Sequence, residues 1–224
     1  MVSKITCVAF DAVGTLIYPE PSVSKVYWQI GSQYGSKYTL DEVQIRFQQT
    51  FQDLASGTRN DYSTSEAEEF ERWRQIVQRV LSDADDIDRC FEQLHAHFAL
   101  PCAWRCFPDV AETLHGLTSN GIKILVASNF DARLNALCDQ MPELNLVRER
   151  VISACIGWHK PSPGFYSELV KLADRSASEI LMVGDDLEND VIAARASGLQ
   201  AVLIDRSGVA ENGVITDLRQ ILGD

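Results

Sequence analysis

Cations are scarce in this chain: 20 Lys and Arg stand against 32 Asp and Glu over 224 residues, a net charge of −12. That deficit argues against nucleic acid and anionic membrane as partners, since both need clustered positive charge. A small anionic substrate stays open, because one lysine and a metal ion can reverse the potential within a pocket. The six cysteines include no C-x-x-C pair. Cys102-x-x-x-Cys106 is too weak alone for zinc, and with no disulfide framework evident the expected compartment is a reducing one. Cys7 and Cys155 lie inside apolar runs and read as small buried hydrophobes. No run approaches the ~20 apolar residues of a membrane span. The opening residues enter a strand-like run without a basic segment or a long apolar stretch, so no secretory leader is expected and the expected location is cytoplasmic. Repeats and low-complexity tracts are also missing.

What is present alternates between two textures. Residues 4–10, 123–128, 151–155, 180–184 and 201–204 are short continuous apolar runs, as suits strands buried on both faces of a parallel sheet. Helix-like segments at 109–119, 131–139, 163–173 and 187–197 separate the later runs, and Gly121 and Gly198 stand where two of them should stop. The alternation predicts an α/β fold built on a doubly wound parallel sheet. Residues 18–100 carry no strand-like run. Stripes over Val23–Tyr34, Leu40–Leu54, Phe70–Leu81 and Ile87–Phe98 recur at helical spacing, the second preceded by a Thr39–Glu42 capping box. They predict a helical-bundle cap of residues 18–100 inserted into a core domain of residues 1–17 plus 101–224, with a loop at 55–62. Arg46, on the polar side of its stripe, reads as a solvated cation or as a contact for a substrate anion.

The most telling absence is a single carboxylate. Residues 10–16 read F-D-A-V-G-T-L, ending a strand in Asp11, Gly14 and Thr15: a nucleophile, backbone N–H donors and a hydroxyl. Enzymes that attack phosphate with an aspartate often carry a second Asp two residues on as proton donor, and here that position is Val13. Three further strand ends deliver polar groups. V-A-S-N brings Ser128 and Asn129, G-W-H-K-P brings Lys160, and V-G-D-D-x-x-N-D brings Asp185, Asp186 and Asp190. A parallel sheet gathers the carboxyl ends of its strands on one edge, so these groups should converge. A carboxylate attacking a phosphate dianion needs a cation between them. Hard oxygen ligands suit Mg²⁺: Asp11, Asp185, Asp186 and a backbone carbonyl, for which Val13 serves as well as any residue. Ser128 and Lys160 would hold phosphoryl oxygens, with Asn129 as a further substrate contact. Asp190 would orient Lys160 or a water on the metal. Trp158 reads as a packing residue and His159 as an exposed one.

With these motifs in this order, the chain resembles the haloacid dehalogenase superfamily, and the helical insert looks like that family's cap of the first type. The resemblance implies a hydrolase, Mg²⁺-dependent and working through an aspartyl-phosphate on a small phosphorylated metabolite. It implies Asp11 as nucleophile, Ser128 and Lys160 as phosphate ligands, and Asp185 and Asp186 as metal ligands. The expected assembly is a monomer or a homodimer. Without the second Asp, three outcomes stay open: a phosphatase limited to good leaving groups, a 2-haloacid dehalogenase, or a weakly active or non-catalytic phosphate-binding protein. The dehalogenase branch carries a Tyr six residues after its Lys, as Tyr166 follows Lys160, but normally lacks an acidic pair such as Asp185–Asp186.

Overall fold

A computed structural model describes residues 4–55, 62–208 and 212–223. Strand β1 (Cys7–Phe10) leads to the short strand β2 (Ile17–Pro19) and then to helices α1 (Val23–Gln33), α2 (Leu40–Ala55), α3 (Glu66–Val80) and α4 (Ile87–His97). After β3 (Trp104–Cys106) helices and strands alternate: α5 (Val110–Ser119), β4 (Lys123–Ser128), α6 (Arg133–Gln140) and β5 (Glu149–Ile152). The chain continues through α7 (Ser153–Ile156), α8 (Pro163–Ala173), β6 (Ile180–Gly184), a π-helical turn (Leu187–Ile192), α9 (Ala193–Ala196), β7 (Gln200–Ile204) and β8 (Val214–Ile215). Among the described residues no helix is long and apolar enough to cross a membrane.

Six strands form a sheet in the order β5-β4-β1-β6-β7-β8, every pairing parallel. This is the doubly wound α/β fold that the apolar runs predict. β1 is buried along its whole length and lies between β4 and β6, which explains why C-V-A-F has no alternating polar face. The register sets Phe10 level with both Val126 and Val183. The segments that follow these three strands therefore leave the same edge.

The described residues fall into two compact units. One lies within Met1–Tyr18, Asp61–Ser65 and Cys106–Asp224, the other within Pro19–Asn60 and Glu66–Arg105. The sheet unit packs Cys7, Ala9, Leu125, Met182 and Ala201 against Phe165, Tyr166 and Leu169 of α8. The helical unit closes on Val26, Tyr27, Val43, Ile76, Val80, Phe91 and Leu94, and the Thr39–Glu42 capping box forms: the Thr39 amide donates to Glu42 Oε2 at 2.8 Å. The loop expected at 55–62 falls largely outside the described residues. The segment that follows it groups with the sheet unit: Ser63 pairs with Trp158 in an antiparallel bridge, and the His159 amide donates to the Tyr62 carbonyl.

Three local expectations differ from the structure. The run at 151–155 is a strand only to Ile152, after which Ser153–Ile156 turns helical and stops at Gly157 with φ +86°. On that helix Cys155 is exposed rather than buried, while Cys7 is buried as expected; all six cysteines are free. Arg46 is half-buried rather than freely solvated. Its Nε and Nη2 donate to the carbonyls of Val80 and Arg79, closing the C-terminal end of α3.

Candidate active site

The site is built on the loop after β1. The Asp11 amide donates to the Val183 carbonyl at 2.8 Å, which fixes the nucleophile candidate to the end of β6. The chain then turns tightly, with the Leu16 and Ile17 amides both donating to the Ala12 carbonyl and the Gly14 amide to the Ile17 carbonyl. Gly14 sits at φ +89°, and a Cβ there would lie 2.2 Å from Asp185 Oδ2. Glycine is needed twice over, for the left-handed backbone and for the approach of the carboxylate. Thr15 reaches the same carboxylate, its hydroxyl 3.4 Å from Asp185 Oδ1. Val13 is half-buried beside this turn and bridges Ile17 through the backbone.

Lys160 is the electrostatic hub. Its Nζ donates to Asp11 Oδ1 at 2.7 Å, to Asp190 Oδ1 at 2.6 Å and to the Ala127 carbonyl at 3.0 Å. Burial alone would depress its pKa, but the two carboxylates more than reverse that and hold it above the ordinary lysine value. The ammonium is therefore permanently charged. The Asn129 side chain clamps the backbone beneath it: Oδ1 accepts from the Lys160 amide at 2.7 Å, and Nδ2 donates to the Lys160 carbonyl at 3.0 Å. Those bonds use the Asn129 amide, expected as a substrate contact, to hold the lysine loop. Ser128 is buried at the end of β4, and its hydroxyl has no hydrogen-bond partner among the described residues. Neither Ser128 nor Asn129 caps α6; the Arg133 amide there is met by Asp131.

The two acidic residues after β6 have different work. Asp186 Oδ1 accepts from the amides of Glu188 and Asn189 at 2.9 Å each, and Oδ2 accepts from Asn189 Nδ2 at 2.8 Å. It caps the π-helical turn, so its carboxylate is committed to that turn rather than to the cluster where it was expected. Asp190 takes the place. Oxygens of Asp11, Asp185 and Asp190 all lie within 4.8 Å of one another. Asp190 packs so closely that a Cβ on Gly184 would stand 2.1 Å from its Oδ2. One face of Asp185 is open to solvent. Even so, crowding by protein atoms, followed by the charges of Asp11 and Asp190, pushes its pKa up to about 7. Three hard oxygen donors whose mutual repulsion raises a pKa fit a small divalent cation. Of the expected ligands Asp11 and Asp185 belong to this group, together with Asp190, and Asp186 lies outside it.

One contact was not legible in the sequence, and one residue read as packing does pack. The Tyr166 hydroxyl donates to the Asn189 carbonyl, pinning the π-helical turn from the buried side, and burial raises its pKa. Trp158 lies against Gly164, where a Cβ would meet its ring at 2.8 Å, while its other side is exposed. The sequence marked Tyr166 only by its place six residues after Lys160, and nothing in a one-dimensional pattern reports a backbone acceptor.

Residues 5–198 match the family described as haloacid dehalogenase-like hydrolase. The human haloacid dehalogenase-like hydrolase domain-containing protein 3 is 23% identical over 206 residues, covering 90% of this chain and 82% of that protein. Ribulose-1,5-bisphosphate 5-phosphatase of Halopiger xanaduensis is 35% identical over 101 residues, 45% of this chain and 42% of that protein. A crystal structure of a haloacid dehalogenase-type phosphatase from Thermococcus onnurineus superposes with a TM-score of 0.67 at 22% identity, over 98% of each chain, a likeness of fold. With a match that runs from β1 through the insert to β6 and takes in all four motifs, this chain belongs to the haloacid dehalogenase-like hydrolases.

Proposed function

We propose that the protein is a Mg²⁺-dependent phosphatase that works through an aspartyl-phosphate on Asp11, acts on a small phosphorylated metabolite and favours good leaving groups. The observation that carries this reading is the hub on Lys160. A fully buried ammonium holds Oδ1 of Asp11 in place, and Asp190 holds the ammonium. Oδ2 of Asp11 is left without a hydrogen bond among the described residues, as an attacking oxygen must be. Asp11, Asp185 and Asp190 would hold the metal, with the Val13 carbonyl as a further oxygen donor; when bound, Mg²⁺ screens the repulsion between carboxylate and phosphate. Ser128 would donate its unpartnered hydroxyl to a phosphoryl oxygen. Lys160 supplies positive charge at the same place. The names of the phosphatase relatives accord with this substrate class.

The step for which the chain lacks a group is proton transfer. When Asp11 Oδ2 attacks phosphorus, the leaving oxygen takes the electron pair of the broken P–O bond, and Val13 has no proton to give it. Phosphates whose leaving oxygen is stable as an anion (aryl, acyl or enol phosphates) need no such proton. The dehalogenase reading is weaker on this site. Its halide would need no proton either, but the carboxylates crowded beside Asp11 call for a cation, and the Tyr166 hydroxyl is committed to a backbone carbonyl.

The test is a panel of phosphate esters graded by leaving-group pKa, run with Mg²⁺, beside 2-chloropropionate with EDTA. Mg²⁺-dependent release of phosphate from aryl esters, lost in Asp11→Asn, is the expected result. Halide release in EDTA would replace this reading with the dehalogenase one. Binding of tungstate with no turnover of either substrate class would leave a phosphate-binding protein.

A further inference from the structure

The nucleophile loop is held by a residue far along the chain that belongs to none of the four motifs. Arg206 follows β7. Its Nη2 donates to the carbonyl of Thr15 at 2.5 Å and its Nη1 to Asp109 Oδ2 at 2.6 Å. The guanidinium carbon lies 4.0 Å from the centre of the Phe107 ring. Asp109 is 2% exposed, at the head of α5, and the same Oδ2 accepts from the Leu218 amide at 2.7 Å. Three parts of the chain thus converge on the turn that follows Asp11.

The geometry of the pair is what argues for more than packing. An arginine and a carboxylate left to themselves form two parallel hydrogen bonds. Here only one joins them: Asp109 Oδ1 and Arg206 Nε are both buried without a partner. The guanidinium is turned away from the bidentate arrangement so that its second nitrogen reaches the Thr15 carbonyl. That carbonyl belongs to the residue whose hydroxyl faces Asp185, one position after the glycine on which Asp185 rests. The Phe107 amide adds a second hold by donating to the Leu16 carbonyl at 3.0 Å. Arginine suits the task because its planar fork serves two acceptors in fixed directions, which a lysine ammonium does not.

We infer that Arg206 is a positioning residue: through its bond to the Thr15 carbonyl it fixes the Ala12–Ile17 turn, and with it the distance between Asp11 and Asp185. Its effect on turnover rests on the phosphatase reading; its effect on the turn does not. Arg206→Gln keeps some hydrogen-bonding capacity but cannot span both acceptors. In that variant the amides of Gly14, Leu16 and Ile17 should exchange with deuterium roughly tenfold faster, while β1, β4 and β6 keep the wild-type rate. On an aryl phosphate, kcat per folded molecule should fall by about 10–10²-fold with KM unchanged, since misplacement of the nucleophile harms the reaction rather than binding. Asp109→Asn, which loosens the guanidinium without removing it, should show a smaller effect of the same kind. If Arg206→Gln does not fold, Asp109→Asn and Arg206→Lys carry the same measurements. Unchanged exchange in the turn, or acceleration spread evenly over the whole sheet, would overturn the assignment. A wild type without turnover would sink the phosphatase reading and leave the exchange result to decide on Arg206.

Discussion

Compared with the helical unit, the sheet unit buries a different chemistry. Its buried side chains include the charged Asp11, Asp109, Asp131, Lys160 and Asp190, with Thr15 and Ser128 beside them; in the helical unit the described buried polar side chains are Thr50 and Glu69. Its core is aliphatic and aromatic, with Tyr27 edge-on to Phe47 and Phe70 edge-on to Phe91. A buried charge costs several kcal/mol unless it is paired. All five are paired in the sheet unit: Lys160 joins Asp11 and Asp190, while Asp109 meets Arg206 and Asp131 meets Arg133. The helical unit, held by area rather than charge, should respond to mutation through stability.

That contrast can be broken at several points. The largest effect is expected for Asp11→Asn, which should lower aryl phosphate turnover by at least roughly 10³-fold while circular dichroism shows an intact fold. Residual turnover near the wild-type rate would remove Asp11 from the chemistry. Val13→Asp restores a carboxylate within the turn and should raise rates on poor leaving groups, such as alkyl phosphates, by ~10²–10⁴-fold, with much less gain on aryl esters. An equal gain on both would mean that the missing acid is not what limits this enzyme. In the helical unit, Leu94→Ala empties a site that is 1% exposed and should cost about 2–5 kcal/mol in urea unfolding. Turnover of a small aryl phosphate per folded molecule should stay near the wild-type value. A deep loss of kcat there would blur the division between the units.

The carboxylate cluster offers a smaller effect that depends on pH. The folded pKa of Asp185 is raised from 3.8 to about 7, so between these values the native state binds more protons than the unfolded chain. In the metal-free protein its contribution to stability is present below pH 4 and is lost as pH rises towards 7. Because Asp185 is open to solvent on one face, the loss should stay below about 1.4 kcal/mol, the worth of a single pKa unit. Melting temperature followed from pH 4.5 to 7.5 in EDTA should fall more steeply in wild type than in Asp185→Asn; identical slopes would disprove the crowding. The smallest effect belongs to Arg46→Ala, which uncovers the last carbonyls of α3 and should cost about 1 kcal/mol without altering KM. A raised KM would return Arg46 to the role of a substrate contact.

Much of the fold was legible because its signals are local. Continuous apolar runs marked β1, β4, β6 and β7, and the spacing of Val26, Ile30, Val43, Phe91 and Leu94 marked the inserted helices. The end of β5 was misread because V-I-S-A-C is equally apolar as strand or helix, and only the turn at Gly157 decides. The site was legible as a set of residue types, less so as a set of roles. Asp186 and Asp190 are both acids one turn apart; which of them faces Asp11 depends on the π-helical turn that Asp186 itself caps. Asn129 could have faced substrate or backbone, and the return of Tyr62–Ser65 to the sheet unit involves hydrogen bonds between main chains, which no side-chain pattern encodes.

The central place of β1 in the sheet also says something about how the molecule assembles. β1 is made well before its two neighbours, residues 123–126 and 180–183. At the ~5–20 residues per second of synthesis, about 10–30 s pass before Val183 exists to accept the amide of Asp11. The helices of the insert, whose partners lie close in sequence, can pack in that interval. The apolar segment that ends in Asp11 must wait unpaired, and it is where nascent chains of this protein would need shielding from aggregation. Strand β1 is completed only when the sheet closes around it.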